Sequence, residues 1–435
     1  MKTFIKKITP KFILQLYHMI LARIGVIYYH HPSRQMVVIG VTGTKGKSTV
    51  VNLISKIFEQ AGYKTGIIST VNFKIADKEW ANATKQTMPG RFRLQSLLAQ
   101  MVKADCQYAV IETSSEGIAQ YRHLGIDYDA AVFTNLTPEH IESHGSFEKY
   151  REAKLKLFQN LYHGYRKNLH GQEIKKLSVV NYDDKSAEYF LLPPADRKIT
   201  YGLSESKDLL SNEVFIGQIV DSNIYGVTFK VNDQKINLRL LGEFNVYNSL
   251  AAMAVARFYG VEHNIIKQAL ESVDLIPGRM EEIKNNKGFK IYIDYAHEPS
   301  SLESVYKTLK TFHPSRIISL LGSQGGGRDK SKRPELGSLA AKYTDYVIVT
   351  NEDPYDEDSE QIIDDVINGA TQVMGGPPIE KIVDRREAIK KAISIAEKGD
   401  IIIITGKGSE TVMAVENGQM IPWSDKKEVL DILGK

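Results

Sequence analysis

A glycine-rich loop between an apolar strand and an amphipathic helix constrains the fold of this chain more than any other feature. The strand is predicted at 36–39, glycines follow at Gly40, Gly43 and Gly46, and apolar residues at helical spacing occupy 50–57. Glycines let backbone N–H groups turn toward phosphates at a helix N-terminus. The segment therefore predicts a nucleotide-binding P-loop within an α/β domain.

Two side chains of this loop are candidates for contact with a triphosphate. We expect Lys47 on the β and γ phosphates and the Ser48 hydroxyl on Mg²⁺. The strict P-loop pattern has a glycine five positions before Gly46, where this chain has Val41, so the loop is a variant. A glycine turn without function is the alternative, but the flanking strand and helix favour nucleotide binding.

Apolar runs separated by helical stretches continue the strand–helix–strand pattern on both sides of a break at 276–278. The runs predicted as strands lie at 108–111, 130–133, 178–181, 290–293, 316–321, 346–350 and 401–404. The fold class predicted is α/β, with a P-loop central domain of mainly parallel sheet at 36–276 and a C-terminal Rossmann-like α/β domain at 277–435.

The segment 198–241 differs from this rhythm. It contains short alternating strands such as 227–231, and we predict an antiparallel patch at one edge of the central sheet. A helix is expected after it, at about 246–259.

The first 35 residues are predicted to form one amphipathic helix. Lys2, Lys6, Lys7 and Lys11 precede a largely apolar run at 12–29, an outline that mimics a signal peptide. Polar residues interrupt the run, however, and no small-residue cleavage site follows. Two interpretations remain: the apolar face packs on the following domain, or it lies on the inner membrane face with its lysines near anionic lipid.

Composition excludes several classes of protein. A chain of 435 residues exceeds the size of one hydrophobic core, so two or three domains are expected. The net charge of +4 is small and the signs alternate, so no nucleic-acid partner is expected. Cys106 is the only cysteine, which excludes an internal disulfide and favours the reducing cytoplasm.

A series of short motifs resembles those of the Mur ligase family, in the same order, and most closely those of its tripeptide-synthetase branch. The motifs are Gly43–Ser48, Ile111–Glu116, Phe133–Leu136, Glu139–Gly145, Ala153–Lys154, Gly242–Asn248, Pro277–Glu281, Asp294–His297, Gly327–Lys330 and Gly406–Glu410. The resemblance implies an ATP-dependent, ADP-forming ligase that adds an amino acid to a carboxylate of a peptidoglycan-precursor peptide through an acyl-phosphate.

The resemblance also implies catalytic and metal-binding side chains. Glu112 and His140 suit a second Mg²⁺, and Lys154 is implied to be carbamylated, which converts a cation into a group that reaches this metal. With Lys47, they would neutralise the charge that develops on the γ-phosphate. Without the surrounding motifs, Lys154 would be interpreted as a solvent-exposed lysine on a helix, and His140 as a surface histidine.

Further contacts are implied for ATP and for the substrates. Asn245 and Asn248 would contact adenine, although amide side chains there also suit helix capping, and Arg279 and Asp294 would hold the phosphates and ribose. The remaining loop residues expected at the nucleotide are Gly43, Thr44, Lys45, Gly46 and Thr49. The implied substrate-binding residues are Thr87, Ser114, Arg122, His297, Arg328, Lys330, Asp353, Tyr355 and Glu410.

Two departures from the family pattern leave the substrates open. About 35 residues precede the loop where the family carries a UDP-binding domain, so a partner supplying that function, a lipid-linked acceptor or a different peptide are alternatives. Tyr355 stands where the diaminopimelate-adding enzymes have an arginine, and it cannot form a bidentate pair with a carboxylate. Glu410 matches an acidic residue of those enzymes, so a diamino acid is still possible. Glu116 replaces a frequent histidine.

Two other functions were weighed. A folylpolyglutamate synthetase also lacks a UDP-binding domain, but the motifs at 140–145 and 294–297 disfavour it. A non-catalytic, nucleotide-binding Mur-like subunit would have lost Lys47, Glu112, His140 or Lys154, and this chain keeps all four.

Overall fold

The structure is a computed structural model that describes residues 11–138, 144–204 and 210–434. The chain divides into two units, each with its own sheet. The first comprises Met1–Val220, Thr228–Leu238 and Phe244–Val273, and the second comprises Asp221–Val227, Arg239–Glu243 and Asp274–Lys435.

The helices of the described residues follow the glycine and apolar patterns of the sequence. They are α1 (Lys11–Tyr28), α2 (Lys47–Gln60), α3 (Arg91–Lys103), α4 (Ser115–Ala119), α5 (Phe147–His163), α6 (Ala187–Leu191), α7 (Phe244–Phe258), α8 (His263–Glu271), α9 (Pro299–Lys310), α10 (Lys332–Tyr343), α11 (Ser359–Thr371), α12 (Arg385–Ile395) and α13 (Asp425–Ile432). Short 3₁₀ turns lie at Pro32–Gln35 and Glu416–Gly418.

The strands confirm the predicted α/β class. In the first unit they are β1 (Val37–Thr42), β2 (Thr65–Ile68), β3 (Asn72–Ile75), β4 (Lys78–Ala81), β5 (Tyr108–Glu112), β6 (Ala130–Phe133), β7 (Asn168–Leu169), β8 (Gln172–Glu173), β9 (Leu177–Asn181), β10 (Arg197–Gly202), β11 (Glu213–Asn223), β12 (Gly226–Val231) and β13 (Gln234–Leu238). In the second they are β14 (Glu281–Glu282), β15 (Lys290–Ile293), β16 (Ile317–Leu321), β17 (Tyr346–Val349), β18 (Ile379–Lys381), β19 (Ile401–Ile404), β20 (Val412–Val415) and β21 (Gln419–Pro422).

The first unit is built on a large sheet of order β13-β12-β11-β10-β9-β6-β1-β5-β2-β3-β4. Its central strands are parallel, and β1 lies between β5 and β6. Every residue of β1, β5 and β6 is buried, because strands covered on both faces are apolar along their whole length. The carboxyl ends of these three strands therefore meet at one edge of the sheet, where the glycine loop begins.

The predicted antiparallel patch is only partly right. Strand β10 pairs parallel to both β9 and β11, so the prediction was wrong for 198–202. The connection from β9 to β10 spans 182–196 and contains the helix α6, which is long enough for a parallel crossover. Beyond it, two-residue turns join β11, β12 and β13, and Asn232 and Asp233 have positive φ in the second turn, as antiparallel hairpins require.

The second unit has a sheet of order β14-β15-β19-β16-β17-β18. Strands β15, β16, β17, β18 and β19 pair in parallel, and β14 is antiparallel at the edge. Its core is rich in isoleucine, including all of Ile401–Ile404, which is typical of a doubly wound parallel sheet. This confirms the Rossmann-like prediction for the C-terminal part.

Of the helix predicted for 1–35, the structure describes α1 at Lys11–Tyr28, and a 3₁₀ turn follows at Pro32–Gln35. Residues 1–10 lie outside the described part of the chain. One face of α1 packs against α3. Ala22 and Val26 are buried, and a Cβ placed on Gly25 would lie 3.6 Å from Phe92 in α3. The packing interpretation is therefore correct for this face. Among the described residues, no helix combines the length and apolar character needed to cross a membrane.

Candidate active site

The glycine loop runs from the end of β1 to the start of α2, as predicted. Gly43 and Gly46 have φ of 147° and 80°, a region that favours glycine. A Cβ on Gly43 would lie 1.9 Å from Thr134 Oγ1, and one on Gly46 would lie 2.3 Å from Asn248 Oδ1. Both glycines are therefore required by backbone conformation and by close neighbours, and the amides of Gly46, Lys47 and Ser48 open the helix.

The loop is fixed by residues that follow β6. Asn135 accepts hydrogen bonds from the backbone N–H of Thr44 at its carbonyl (2.8 Å) and from that of Lys45 at its side chain (2.9 Å). Thr44 Oγ1 lies 3.1 Å from the hydroxyl of Tyr150 in α5. The loop is thus held in place before any nucleotide binds, which lowers the cost of ordering it.

Glu112, at the end of β5, is the buried acid of the site, with 2% exposure. Its Oε2 accepts from the Ser48 hydroxyl and the Thr70 N–H, both at 2.8 Å, and its Oε1 accepts from the Thr70 hydroxyl at 3.0 Å. Lys47 Nζ lies 3.9 Å from Oε1 and donates to the Thr44 carbonyl at 2.7 Å. The structure thus brings Lys47, Ser48 and Glu112 together.

Lys154, on α5, reaches the same loop from the other side. Its side chain is buried, with 2% exposure of the residue, and Nζ donates to the Gly43 carbonyl at 2.7 Å. The Nζ atom also lies 4.4 Å from the centroid of the Tyr150 ring. This position excludes a solvated helix lysine and places the amine at the phosphate loop.

His140 lies outside the residues that the structure describes. Within the described residues no group of three or more His, Cys, Asp or Glu side chains is arranged to hold a metal ion. The oxygens of Ser48 and Glu112, 2.8 Å apart, still fit Mg²⁺, which prefers hard oxygen ligands and usually takes only one or two from the protein beside substrate phosphates.

The two asparagines of α7 and Thr49 also lie at the loop. Asn245 and Asn248 are each 6% exposed, and Asn248 Nδ2 donates to Asn245 Oδ1 at 2.9 Å. Asn248 is the side chain that restricts Gly46. Thr49 is buried at 5% exposure in the first turn of α2. The placement is consistent with a nucleotide contact, and the adenine role stays a prediction.

The three substrate candidates of the first unit differ in their surroundings. Thr87 Oγ1 lies 2.9 Å from the hydroxyl oxygen of Thr70, which itself donates to Glu112. Arg122 donates to Gln86 and to the Met88 carbonyl, on either side of Thr87. Ser114 accepts from the Gly117 N–H at 3.1 Å and caps α4, so its hydroxyl has a structural role.

In the second unit, Arg279 and Asp294 form one electrostatic pair. Asp294, 7% exposed, accepts from the N–H groups of Met280 and Ala296, both at 2.7 Å. Burial raises the pKa of this carboxyl, and the nearby Arg279 opposes the increase. The Arg279 guanidinium lies 4.5 Å from the centroid of the Tyr295 ring.

Two members of the predicted basic cluster of Arg328, Lys330 and Lys332 form ion pairs with different acidic residues. Lys330 Nζ lies 3.0 Å from Glu357, and the buried Lys332 donates to Glu298 at 2.5 Å. Of these three cations, only Arg328 lacks an ion pair among the described residues. Burial raises the pKa of the Tyr355 hydroxyl, and the nearby charge of Arg328 opposes the increase. The three cations therefore do not act as one anion-binding patch.

Beside this region, His297 is a neutral group. Burial, and next to it the charge of Lys332, lower the pKa of its imidazole to about 3. Its Nδ1 lies 2.8 Å from the Tyr295 carbonyl. His297 is thus expected to act through hydrogen bonds rather than charge.

A second acidic group surrounds Lys407, which sequence reasoning left out. Lys407 is fully buried, and its Nζ donates to Asp353 (2.9 Å), Glu410 (2.6 Å) and the Val412 carbonyl (2.8 Å). Glu352 lies next to Asp353 in the chain and has 0% exposure. Three carboxylates thus lie near one lysine, and Tyr355 follows them.

Glu352 is the unusual member, because neither of its carboxyl oxygens has a hydrogen-bond partner among the described residues. Burial, and next to it the charge of Asp353, raise the pKa of this carboxyl to about 7. A Cβ on Gly406 would lie 2.3 Å from Glu352 Oε2, so the glycine makes room for it. A carboxyl held like this is a candidate for substrate contact.

Replacing Glu352 by glutamine is expected to stabilise the protein at pH 8. The carboxyl titrates near 4.5 when unfolded and at about 7 when folded, so stability falls as the pH rises through this window. The substitution removes the free-energy cost of ionising a buried carboxyl. We therefore expect the Tm to rise by a few degrees at pH 8 and to change little at pH 4.

The control for this prediction is Glu357→Gln. Partial burial raises the pKa of Glu357, but bonds from Gly327, Arg333 and Lys330 outweigh it and lower the pKa to about 2. Its replacement should therefore lower the Tm at pH 8, measured in the same thermal melts. A lower Tm for Glu352→Gln at pH 8 would contradict the predicted cost.

The geometry of the first unit is that of a P-loop nucleotide-binding domain, with one acid and two lysines around the glycine loop. Comparisons with known proteins narrow this class. The model of the Mur ligase middle domain matches residues 41–256, and that of the Mur ligase glutamate ligase domain matches residues 278–408.

Two curated proteins and one solved structure illustrate the relationship. The chain is 36% identical over 413 residues to a UDP-N-acetylmuramoyl-L-alanyl-D-glutamate–2,6-diaminopimelate ligase of Bacillus cereus, covering 94% of this chain and 80% of the relative. It is 37% identical over 414 residues to a UDP-N-acetylmuramyl-tripeptide synthetase of a Roseiflexus species, with the same 94% and 80% coverage. Folylpolyglutamate synthase of Mycobacterium tuberculosis shares only the fold, with a TM-score of 0.68, 15% identity, and coverage of 96% and 95% of the two chains.

This chain belongs to the Mur ligase family. Like its relatives, it is an ATP-dependent, ADP-forming ligase.

Proposed function

We propose that this enzyme adds a diamino acid to the peptide of a muramoyl-dipeptide acceptor through an acyl-phosphate. The observation that carries the proposal is the group formed by Glu112, Ser48, Lys47 and Lys154 around the Gly43–Ser48 loop. This group puts the Lys47 cation, the Glu112 carboxylate and the Lys154 amine, which is proposed to be carbamylated, where the γ-phosphate of ATP is expected. Such a site suits transfer of a phosphoryl group to a carboxylate.

In the proposed reaction, the acceptor carboxylate attacks the γ-phosphorus of ATP and ADP leaves. The amine of the amino acid then attacks the acyl carbon and phosphate leaves, which gives the amide and releases one proton. Lys47 would neutralise charge on the β and γ oxygens, and Asn245 and Asn248 would contact adenine. Arg279 and Asp294 would contact the phosphates and ribose.

Magnesium fits the donors that this loop presents. Ser48 and Glu112 would hold it, and Glu112 together with His140 and a carbamylated Lys154 would hold a second ion. When bound, the metal neutralises the charge of the transferred phosphoryl group. The protein's own contribution is to orient the Glu112 carboxylate through hydrogen bonds from Ser48 and Thr70.

The amino acid is proposed to end in an amine without a carboxylate beside it, as in lysine or ornithine. Asp353, Glu410 and Glu352 outnumber Lys407, so the group favours an added cation. Tyr355 offers a hydroxyl where a distal carboxylate would need a guanidinium. We propose that Arg328 binds the carboxylate of the incoming amino acid that lies beside its reacting amine.

The acceptor, the compartment and the domain division are proposals of the same kind. The relatives act on UDP-linked muramoyl peptides by name, and we propose a related acceptor here, with the cytoplasm as the site of reaction. Thr87, which is bonded to Thr70, and Arg122, which is bonded to the neighbouring Gln86, are proposed to contact it. We propose domains at 36–276 and 277–435, and a partner holding the UDP part is an alternative.

Phosphate release from ATP by the purified full chain tests the proposal. UDP-muramoyl-dipeptide or a folate would be supplied with lysine, ornithine, diaminopimelate or glutamate, each alone and in pairs. We expect release only with the muramoyl-dipeptide and lysine or ornithine, with kcat/KM about a hundredfold above that for diaminopimelate. Hydroxylamine, added in place of the amino acid, should trap the acyl-phosphate as a hydroxamate.

Each other outcome changes a defined part of the proposal. Release with folate and glutamate would show that the acceptor is a folate rather than a muramoyl-dipeptide. A preference for diaminopimelate would contradict the proposal that the acidic group around Lys407 binds a distal amine. Tyr355→Arg should shift selectivity toward diaminopimelate if that assignment is right. Absence of release with every pair, despite ATP binding, would favour a non-catalytic subunit.

A further inference from the structure

Helix α1 carries a second apolar face, opposite to the one that packs on α3. Ala22 and Val26 mark the packed face. At 100° per residue, the other face is turned about 180° away from them. Its members are each between 44% and 67% exposed: Ile13, Leu16, Tyr17, Ile20, Ile24, Ile27 and Tyr28. We call these seven residues the outer face of α1.

The outer face is larger and more regular than the isolated apolar side chains that occur on most protein surfaces. Its residues recur every three or four positions over the whole 18-residue helix. Phe92 of α3, 39% exposed, contacts Tyr28 with ring centroids 6.1 Å apart and extends the apolar surface. Contiguous exposed apolar surface of this kind marks an interaction site.

Charge identifies the partner. No acidic residue precedes Glu59 in the chain, whereas Lys2, Lys6, Lys7, Lys11 and Arg23 all lie in or before α1. Arg23 is exposed beside the outer face. A second copy of this helix would bring like charges together with no acid on either helix to pair with them, whereas an anionic lipid surface complements them.

The two tyrosines of the outer face support the same partner. Tyr17 and Tyr28 lie along one border of the face, 56% and 67% exposed. Tyrosine has an apolar ring and a polar hydroxyl, and it is enriched where protein meets the headgroup region of a bilayer. Isoleucines occupy the middle of the face, where the acyl chains would be.

We propose that the outer face of α1 docks the enzyme on the surface of an anionic membrane, with the helix lying in the interface plane. This proposal concerns binding and does not depend on the substrates assigned above. The helix binds from the side while its other face stays packed on the first unit, so the lipid contact leaves the fold of the catalytic part unchanged.

Vesicle flotation of the full chain tests the proposal. We expect it to float with vesicles that contain about one third phosphatidylglycerol, and to stay unbound with phosphatidylcholine alone. The combined variant Ile20→Ser, Ile24→Ser, Ile27→Ser should lose at least tenfold in binding. The control Leu192→Ser, Val220→Ser, Met374→Ser removes three exposed apolar side chains elsewhere and should bind like the wild type.

Three results would overturn the proposal: no flotation with either vesicle type, equal flotation of the combined variant and the wild type, or equal binding to both lipid compositions. Light scattering identifies the rival partner. A dimer in solution that the combined variant converts to monomer, without vesicle binding by the wild type, would assign the outer face to a second copy of the chain.

Discussion

Glu112→Gln is expected to lower kcat for ATP-dependent ligation by about a hundredfold to a thousandfold. The amide keeps the size of the side chain and one acceptor oxygen, so the hydrogen bonds with Thr70 and Ser48 can largely be retained. What is lost is the negative charge beside Ser48 and Lys47, where Mg²⁺ is proposed to bind. The loss should appear in kcat more than in the KM for the amino acid.

Steady-state phosphate release and the Mg²⁺ dependence of the rate measure this effect. The matched control is Glu116→Gln, because Glu116 is exposed, lies four residues along the chain and bonds only to Gln120 among the described side chains. It should remain within about twofold of the wild type. A Glu112→Gln enzyme with near-normal kcat and unchanged Mg²⁺ dependence would remove Glu112 from the metal site.

The conformation of the glycine loop was predictable from the sequence because its constraints are local. Gly43 and Gly46 are required by the turn itself, and Lys47 and Ser48 follow at the helix start, so spacing alone places them. Thr70 was missed, although it binds Glu112 through both its N–H and its hydroxyl. The signal was the pair of polar residues Ser69 and Thr70 that follows β2, the strand that pairs with β5.

In the second unit, the partners of the charged residues could not be predicted from the sequence. Lys330 and Lys332 lie two positions apart in the chain, but Lys330 forms an ion pair with Glu357 and Lys332 forms one with Glu298. Partners this distant in sequence cannot be assigned without the fold. Likewise, the burial that raises the pKa of Glu352 depends on packing around it rather than on its own motif.

The strands that follow β9 were the least predictable part of the fold. The apolar pattern of β10 resembles that of an antiparallel strand, and pairing direction is set by connection length rather than by the strand itself. The buried strands of both units were placed correctly, because continuous runs of Val and Ile are typical only of sheets covered on both faces.

Lys154 is expected to be as important as Glu112, through a different chemistry. The Lys154→Ala variant should lose about a hundredfold or more in kcat, and Lys154→Arg should be equally inactive. A cation at this position is already supplied by Lys47, whereas a carbamate adds the oxygen ligands that a second Mg²⁺ requires. Acetate or propionate, entering the space left in Lys154→Ala, should restore part of the activity.

Dependence on carbon dioxide separates a carbamate from a cationic lysine. Removal of CO₂ from buffers should lower the activity of the wild type, and bicarbonate should restore it, with a carbamate resonance visible by carbon NMR after labelling. Lys156→Ala is the control, since Lys156 lies on the exposed side of α5 and should keep full activity. Full activity of Lys154→Arg would show that positive charge suffices. In that case Lys154 would serve the phosphate directly from its position on the Gly43 carbonyl, and the second metal would have to rely on His140 and Glu112.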